Sequence, residues 1–211
     1  MDESIAKAHH KGQRRILSER KSMFLARAHQ RPKTRKAYVK WCINLILRSP
    51  ACIPLSLVVA GSGKDIEATL VEASLDESGR WMIMGWAIEG RKFHADNYYI
   101  PLDITNHVVE RIMQRQGIED VMEAMRFLAP SLGIAVSLMR HPEESVLVPC
   151  NDGAIVMAKH IKLPLPARAL VTYVPDHKLR PEQKQKMEAM LRYAKSQIEG
   201  ITRRYGQGEE G

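Results

Sequence analysis

The sequence predicts an α+β fold: basic helices first, then a helix pair packed on a small antiparallel sheet, then a C-terminal covering helix. Three observations predict it. Apolar residues recur at helical spacing over the first 48 residues and again from Pro181 onward. Between these segments lie short runs rich in β-branched and aromatic residues, punctuated by Gly, Pro, Asn and Asp. Helical and extended runs are grouped rather than strictly alternating, which is the pattern of an α+β chain.

Taken in order, residues 3–30 read as a helix whose interrupted apolar face is Ile5, Ile16, Leu17, Met23 and Phe24, ended by Pro32. Residues 33–48 read as a second, with Ala37, Tyr38, Trp41, Leu45 and Ile46 at helical spacing before Pro50. Residues 66–73 and 81–88 read as the strands of a β-hairpin around the turn at Glu77-Ser-Gly. Residues 105–117 read as a helix capped by Thr105 or Asn106 and ended by Gly117. A further helix over 119–128 is expected to close at Pro130. Apolar runs at 133–138, 145–148, 154–159 and 169–174 read as successive antiparallel strands. The last helix starts with Pro181 in its first turn and carries one stripe of Met187, Met190, Leu191, Ala194, Ile198 and Ile201.

Composition bounds the function classes. With 45% hydrophobic and 27% charged residues in 211, the chain has enough apolar material for a core and is neither fibrous nor a disordered tail. Three cysteines, Cys42, Cys52 and Cys150, without a C-x-x-C pair, argue against a disulfide framework or a thiolate zinc site. The most apolar stretch, residues 41–60, carries Arg48, Ser49, Pro50 and Pro54 and does not read as a transmembrane helix. About forty mostly polar residues precede it, unlike a secretory signal. A cytoplasmic protein is expected, or one delivered into a target cell by a route that uses no N-terminal signal.

Charge is distributed unevenly. Residues 1–48 hold 13 Lys or Arg against Asp2, Glu3 and Glu19, a balance of +10 in a chain whose total is +8. This asymmetry predicts a basic helical arm over 1–48 and a near-neutral α+β domain over 49–211. Clustered cations neutralise phosphates and release counterions whatever the base sequence, so RNA is the expected partner, ahead of an anionic membrane surface. The densest cluster, Arg31, Lys33, Arg35 and Lys36 with Lys40 one turn on, is the candidate RNA-binding patch.

Two motifs bear on chemistry. Ala60-Gly-Ser-Gly-Lys64 suggests a phosphate loop, but Val58 stands where its first glycine is required and Asp65 replaces the magnesium-binding hydroxyl, so a turn explains it better. In the 105–117 helix, His107, Arg111 and Arg115 are spaced i, i+4, i+8 and share one face, with Gln114 beside it. An imidazole beside two guanidinium groups suits phosphodiester chemistry, because histidine moves protons near neutral pH and arginine holds the phosphate. The same residues also suit a merely basic helix surface.

The pattern Thr105-x-His107-x-x-x-Arg111-x-x-x-Arg115 resembles the S/T-x-H-x-x-x-R-x-x-x-R helix of the barnase, EndoU, colicin and RelE-type ribonuclease superfamily. Val148-Pro-Cys-Asn-Asp-Gly153, then Leu170-Val-Thr172-Tyr173-Val, then Leu179-Arg-Pro-Glu-Gln183 are similar to its paired C-terminal strands and trailing helix, so the likeness covers roughly residues 100–185. Cys150 and Asn151 precede the turn where members often carry a Thr, and Ala154 stands where a bulky apolar residue is usual. The resemblance implies RNA cleavage by attack of the ribose 2′-hydroxyl on the adjacent phosphate, with no metal or other cofactor. It implies His107 as general base or acid, Arg111 and Arg115 as phosphate and transition-state groups, Thr172 or Tyr173 as a polar group facing them, and His160 as a candidate second proton-transfer group. A cognate inhibitor or immunity protein would accompany such a toxin or effector. A non-catalytic nucleic-acid-binding protein is the competing expectation, and an adaptor with a coincidental histidine is the third.

Overall fold

The computed structural model describes residues 1–26, 31–76, 78–159 and 167–206. Helices α1 (Glu3–Ala26) and α2 (Arg35–Leu47) come first. Four strands follow as an antiparallel meander: β1 (Cys52–Ala60), β2 (Glu67–Leu75), β3 (Trp81–Glu89) and β4 (His94–Ile104). Helices α3 (Asn106–Gln116) and α4 (Val121–Ser137) precede β5 (Ser145–Cys150), β6 (Gly153–Lys159) and β7 (Arg168–Pro175). A short 3₁₀ turn, Asp176–Lys178, leads into α5 (Pro181–Gly206).

The α+β class expected from the sequence holds, with helices at both ends of the chain. The sheet is larger than the expected small antiparallel one. All seven strands form one sheet in the order β1-β2-β3-β4-β7-β6-β5, and the β4–β7 pairing is parallel. That pairing spans only Leu102–Ile104 against Arg168–Leu170, so three residue pairs join the two halves. Strand β4 carries no alternating pattern, because most of its first half is exposed and Pro101 interrupts it. A period-2 search therefore passes over it.

A second difference concerns α4. It continues through Pro130 to Ser137, so residues 133–138 are mostly helix rather than strand. Its buried stripe, Val121, Ala124, Met125, Leu128, Ser131, Leu132 and Ala135, keeps helical spacing across the proline, which lies on the exposed side. Core packing of that stripe offsets the roughly 3 kcal/mol that an interior proline costs a helix.

Side chains of β2 and β3 alternate between two faces. Ala73, Leu75, Trp81 and Ile83 join the core shared with α3, α4 and Ala6 of α1. Ala68, Leu70 and Ile88 pack on the other face against Tyr38, Val39, Cys42 and Ile46 of α2. Residues 1–48, expected as an arm, thus contribute to both layers. Helix α1 is tied down at several points. Its Arg14 donates to Gly79 O and Asn106 Oδ1 (2.7 Å for the latter), and Gln13 Nε2 donates to Glu119 O at 2.8 Å. Buried His10 sets its Nδ1 3.2 Å from Glu110 Oε1. Burial, then the Arg14 cation, pushes His10 down to about 3, so this contact is a hydrogen bond from a neutral ring.

The start of α3 is held by a double contact that also anchors the sheet. The Thr105 hydroxyl oxygen accepts from Val108 N (3.3 Å) while its O–H donates to Leu170 O (2.7 Å) on β7. Gly117, with φ +68, closes the other end in the left-handed conformation. Thr105→Ala is expected to cost about 1–2 kcal/mol, the upper part of the N-cap range, because the strand carbonyl also loses its donor. A urea titration checks it, and a midpoint equal to the parent's would deny Thr105 the capping role.

Candidate phosphate-binding face of helix α3

Helix α3 buries Val108, Val109, Ile112 and Met113, which turns His107 and Arg111 outward. His107 is exposed, and its Nε2 accepts from Arg111 Nε at 3.3 Å. With Nε2 accepting, the ring proton of a neutral imidazole belongs on Nδ1. Arg111 is about three-quarters buried. Its Nη1 donates to Glu3 Oε2 of α1 at 2.9 Å and to Gln114 Oε1 at 2.5 Å. Glu3 is held below the usual carboxylate range, first by its hydrogen bond with Lys7 and then by the Arg111 charge.

Arg115 points along the helix toward β7 instead. Its Nη1 donates to the main-chain oxygen of Tyr173. Burial, then the neighbouring Arg111 charge, lowers its pKa from the ordinary arginine value. Beside it opens a cleft of about 650 Å³ lined by Gln116, Asp152, Asp176 and His177 among others. None of these four is among the site residues expected from the sequence.

Tyr173 is fully buried and not free to face a substrate. Its hydroxyl donates to Asp152 O (2.9 Å) and accepts from Gln116 Nε2 (2.5 Å), and its ring meets Phe127 edge-on at 5.7 Å. Neighbouring side chains in a strand point to opposite faces, so Thr172, half-buried, lies on the face away from α3. The structure therefore brings His107 and Arg111 together, places Arg115 one turn on, and does not bring Thr172 or Tyr173 to them. His160 lies outside the described residues.

The second expected set sits elsewhere. Arg31, Lys33, Lys36 and Lys40 are exposed and Arg35 half-buried, at the start of α2 on the opposite sheet face from α3. Arg31 lies over the Tyr38 ring at 6.0 Å. Glu3 was missed because it meets Arg111 across 108 positions, a separation that leaves no local sequence signal. Asp152 did leave one. It adopts φ +57 before Gly153 in the Asn151-Asp-Gly turn, a conformation that favours Asx residues and glycine.

Among the described residues, no helix is long and apolar enough to cross a membrane, and no group of three or more His, Cys, Asp or Glu could hold a metal ion. Comparison with protein-family models, with curated proteins and with solved structures found no match to this chain.

Proposed function

We propose that this chain is an RNA endonuclease of toxin or effector type in which His107 moves the proton and Arg111 holds the phosphate. The observation that carries the reading is the contact between exposed His107 and the largely buried Arg111, whose guanidinium already grips a carboxylate, Glu3, at 2.9 Å. A phosphate oxygen offers the same charge-assisted acceptor, so a substrate would take the place of Glu3. In the reaction the 2′-hydroxyl proton passes to the imidazole, the 2′-oxygen bonds to phosphorus, and the bond to the 5′-oxygen breaks as that oxygen takes a proton from water, after which the imidazolium returns its proton to solvent. The products are a cyclic phosphate and a 5′-hydroxyl, and no metal takes part. A cytoplasmic site of action and a cognate inhibitor or immunity protein belong to this reading.

A second reading is a non-catalytic RNA-binding protein. It is favoured by the burial of Tyr173 and the orientation of Thr172, which leave fewer groups around one phosphate than a cleaving site uses. Incubation with total RNA in EDTA separates them: fragments support the nuclease, and salt-dependent binding without fragments supports the binder.

Arg111→Lys is the companion test. Lysine keeps the charge but loses the planar fork, so cleavage is expected to fall by about 10²-fold while RNA affinity in a filter-binding assay changes little. Equal losses in both assays would reduce Arg111 to a charge contact.

A further inference from the structure

A separate cavity lies on the other face of the sheet, between α2 and strands β2, β3 and β4, with Lys21 of α1 at its border. Its volume is about 300 Å³, at the lower end of the roughly 300–1,000 Å³ that small-molecule sites occupy. The walls are apolar, formed by Leu45, Ile46, Met82, Met84 and Trp86.

Into this apolar space β2 delivers a carboxylate. Glu72 is only 3% exposed, because its alternation places it on the face that α2 covers. Its Oε1 accepts from Trp86 Nε1 at 3.0 Å. Its Oε2 has no hydrogen-bond partner among the described residues, and neither does the Oγ of buried Ser49, which also lines the cavity. The cation nearby is already engaged: Lys21 Nζ donates to Ser74 Oγ at 3.0 Å and to Leu75 O at 2.5 Å. Asp76, also on the lining, is taken up by Ser78 and Arg80. The Cys52 thiol is raised by burial, then by the Glu72 charge and by a hydrogen bond to the Glu72 carboxylate, so it stays neutral and gives that carboxylate only a weak donor.

A half-paired buried carboxylate is costly unless a donor reaches it. We propose that this cavity binds a small cation with an apolar body, an amidine or primary amine on a single ring, whose charged head pairs with Glu72 Oε2 and Ser49 Oγ. Ring and walls supply the apolar contact, and the Glu72 carboxylate selects the cation over a neutral isostere. The site lies on the sheet face away from α3, so it stands or falls independently of the ribonuclease reading.

The test titrates the full chain by calorimetry with benzamidine and with benzamide, its uncharged counterpart of nearly the same shape. Benzamidine is expected to bind at least tenfold more tightly. Glu72→Gln should erase that preference, and Met84→Trp, whose side chain fills the cavity beside its cross-strand partner Glu72, should abolish binding of both. Equal affinities, no benzamidine binding up to its solubility, or unchanged binding by Met84→Trp would each overturn the proposal. If Glu72→Gln fails to fold, the benzamidine-to-benzamide ratio and Met84→Trp still decide it.

Discussion

His107→Ala is expected to lower RNA cleavage by about 10²–10⁴-fold, the usual contribution of a general acid-base group. The fold should survive, because His107 is exposed in the first turn of α3 and its contact is the Arg111 guanidinium, so truncation opens no core cavity. Two measurements check this: fragment release from total RNA in EDTA, and a urea midpoint within about 0.5 kcal/mol of the parent, as for ordinary surface substitutions. In a cell, the parent should slow growth and the variant should not at equal abundance. Undiminished cleavage by His107→Ala would make the helix a basic surface, and the RNA-binding reading would take over. Deleting residues 1–36 is a poorer probe than charge alone suggests, because it also removes Ala6, His10 and Gln13 from their contacts with the domain.

Arg168→Ala is expected to destabilise the protein by about 2–4 kcal/mol, because each carbonyl left without its donor costs about 1–3 kcal/mol. Arg168 is 1% exposed at the start of β7. Its Nε donates to Met139 O at 2.9 Å, and its Nη2 to His141 O and to Glu143 O, the last at 2.8 Å. One guanidinium therefore secures the loop between α4 and β5. Removing a buried cation whose charged form burial already disfavours recovers part of the loss, which is why the expected figure stays below the sum of three carbonyls. The position matters as much as the bonds. Arg168 opens the three-residue parallel pairing with β4, and Leu170 in that pairing receives the Thr105 hydroxyl that starts α3. Arg168→Lys, lacking the fork, should recover only part of the stability. Urea titration of both variants checks this, and a change below about 0.5 kcal/mol for Arg168→Ala would place the loop's anchorage elsewhere.

Where the physics is local, the sequence by itself was sufficient. Helix α3 was legible to within a residue, because Thr105 and Gly117 act on backbone groups three or four positions away. The β2–β3 hairpin and strands β5, β6 and β7 were legible from short apolar runs between turn residues, and α5 from Pro181 and its stripe. The i, i+4 spacing that places His107 against Arg111 is a property of any helix. Tertiary structure decided the rest. The proline signal in α4 was overruled by a buried stripe that the surrounding core rewards. Strand β4 exists through its partners β3 and β7, not through its own pattern. Tyr173 lost its expected role because Gln116, Asp152 and Phe127 enclose it, and Arg111 gained Glu3 from the far end of the chain. Capping and periodicity are written in neighbouring residues, whereas burial of one side chain depends on whatever distant segment packs over it, and that is set only when the whole core closes.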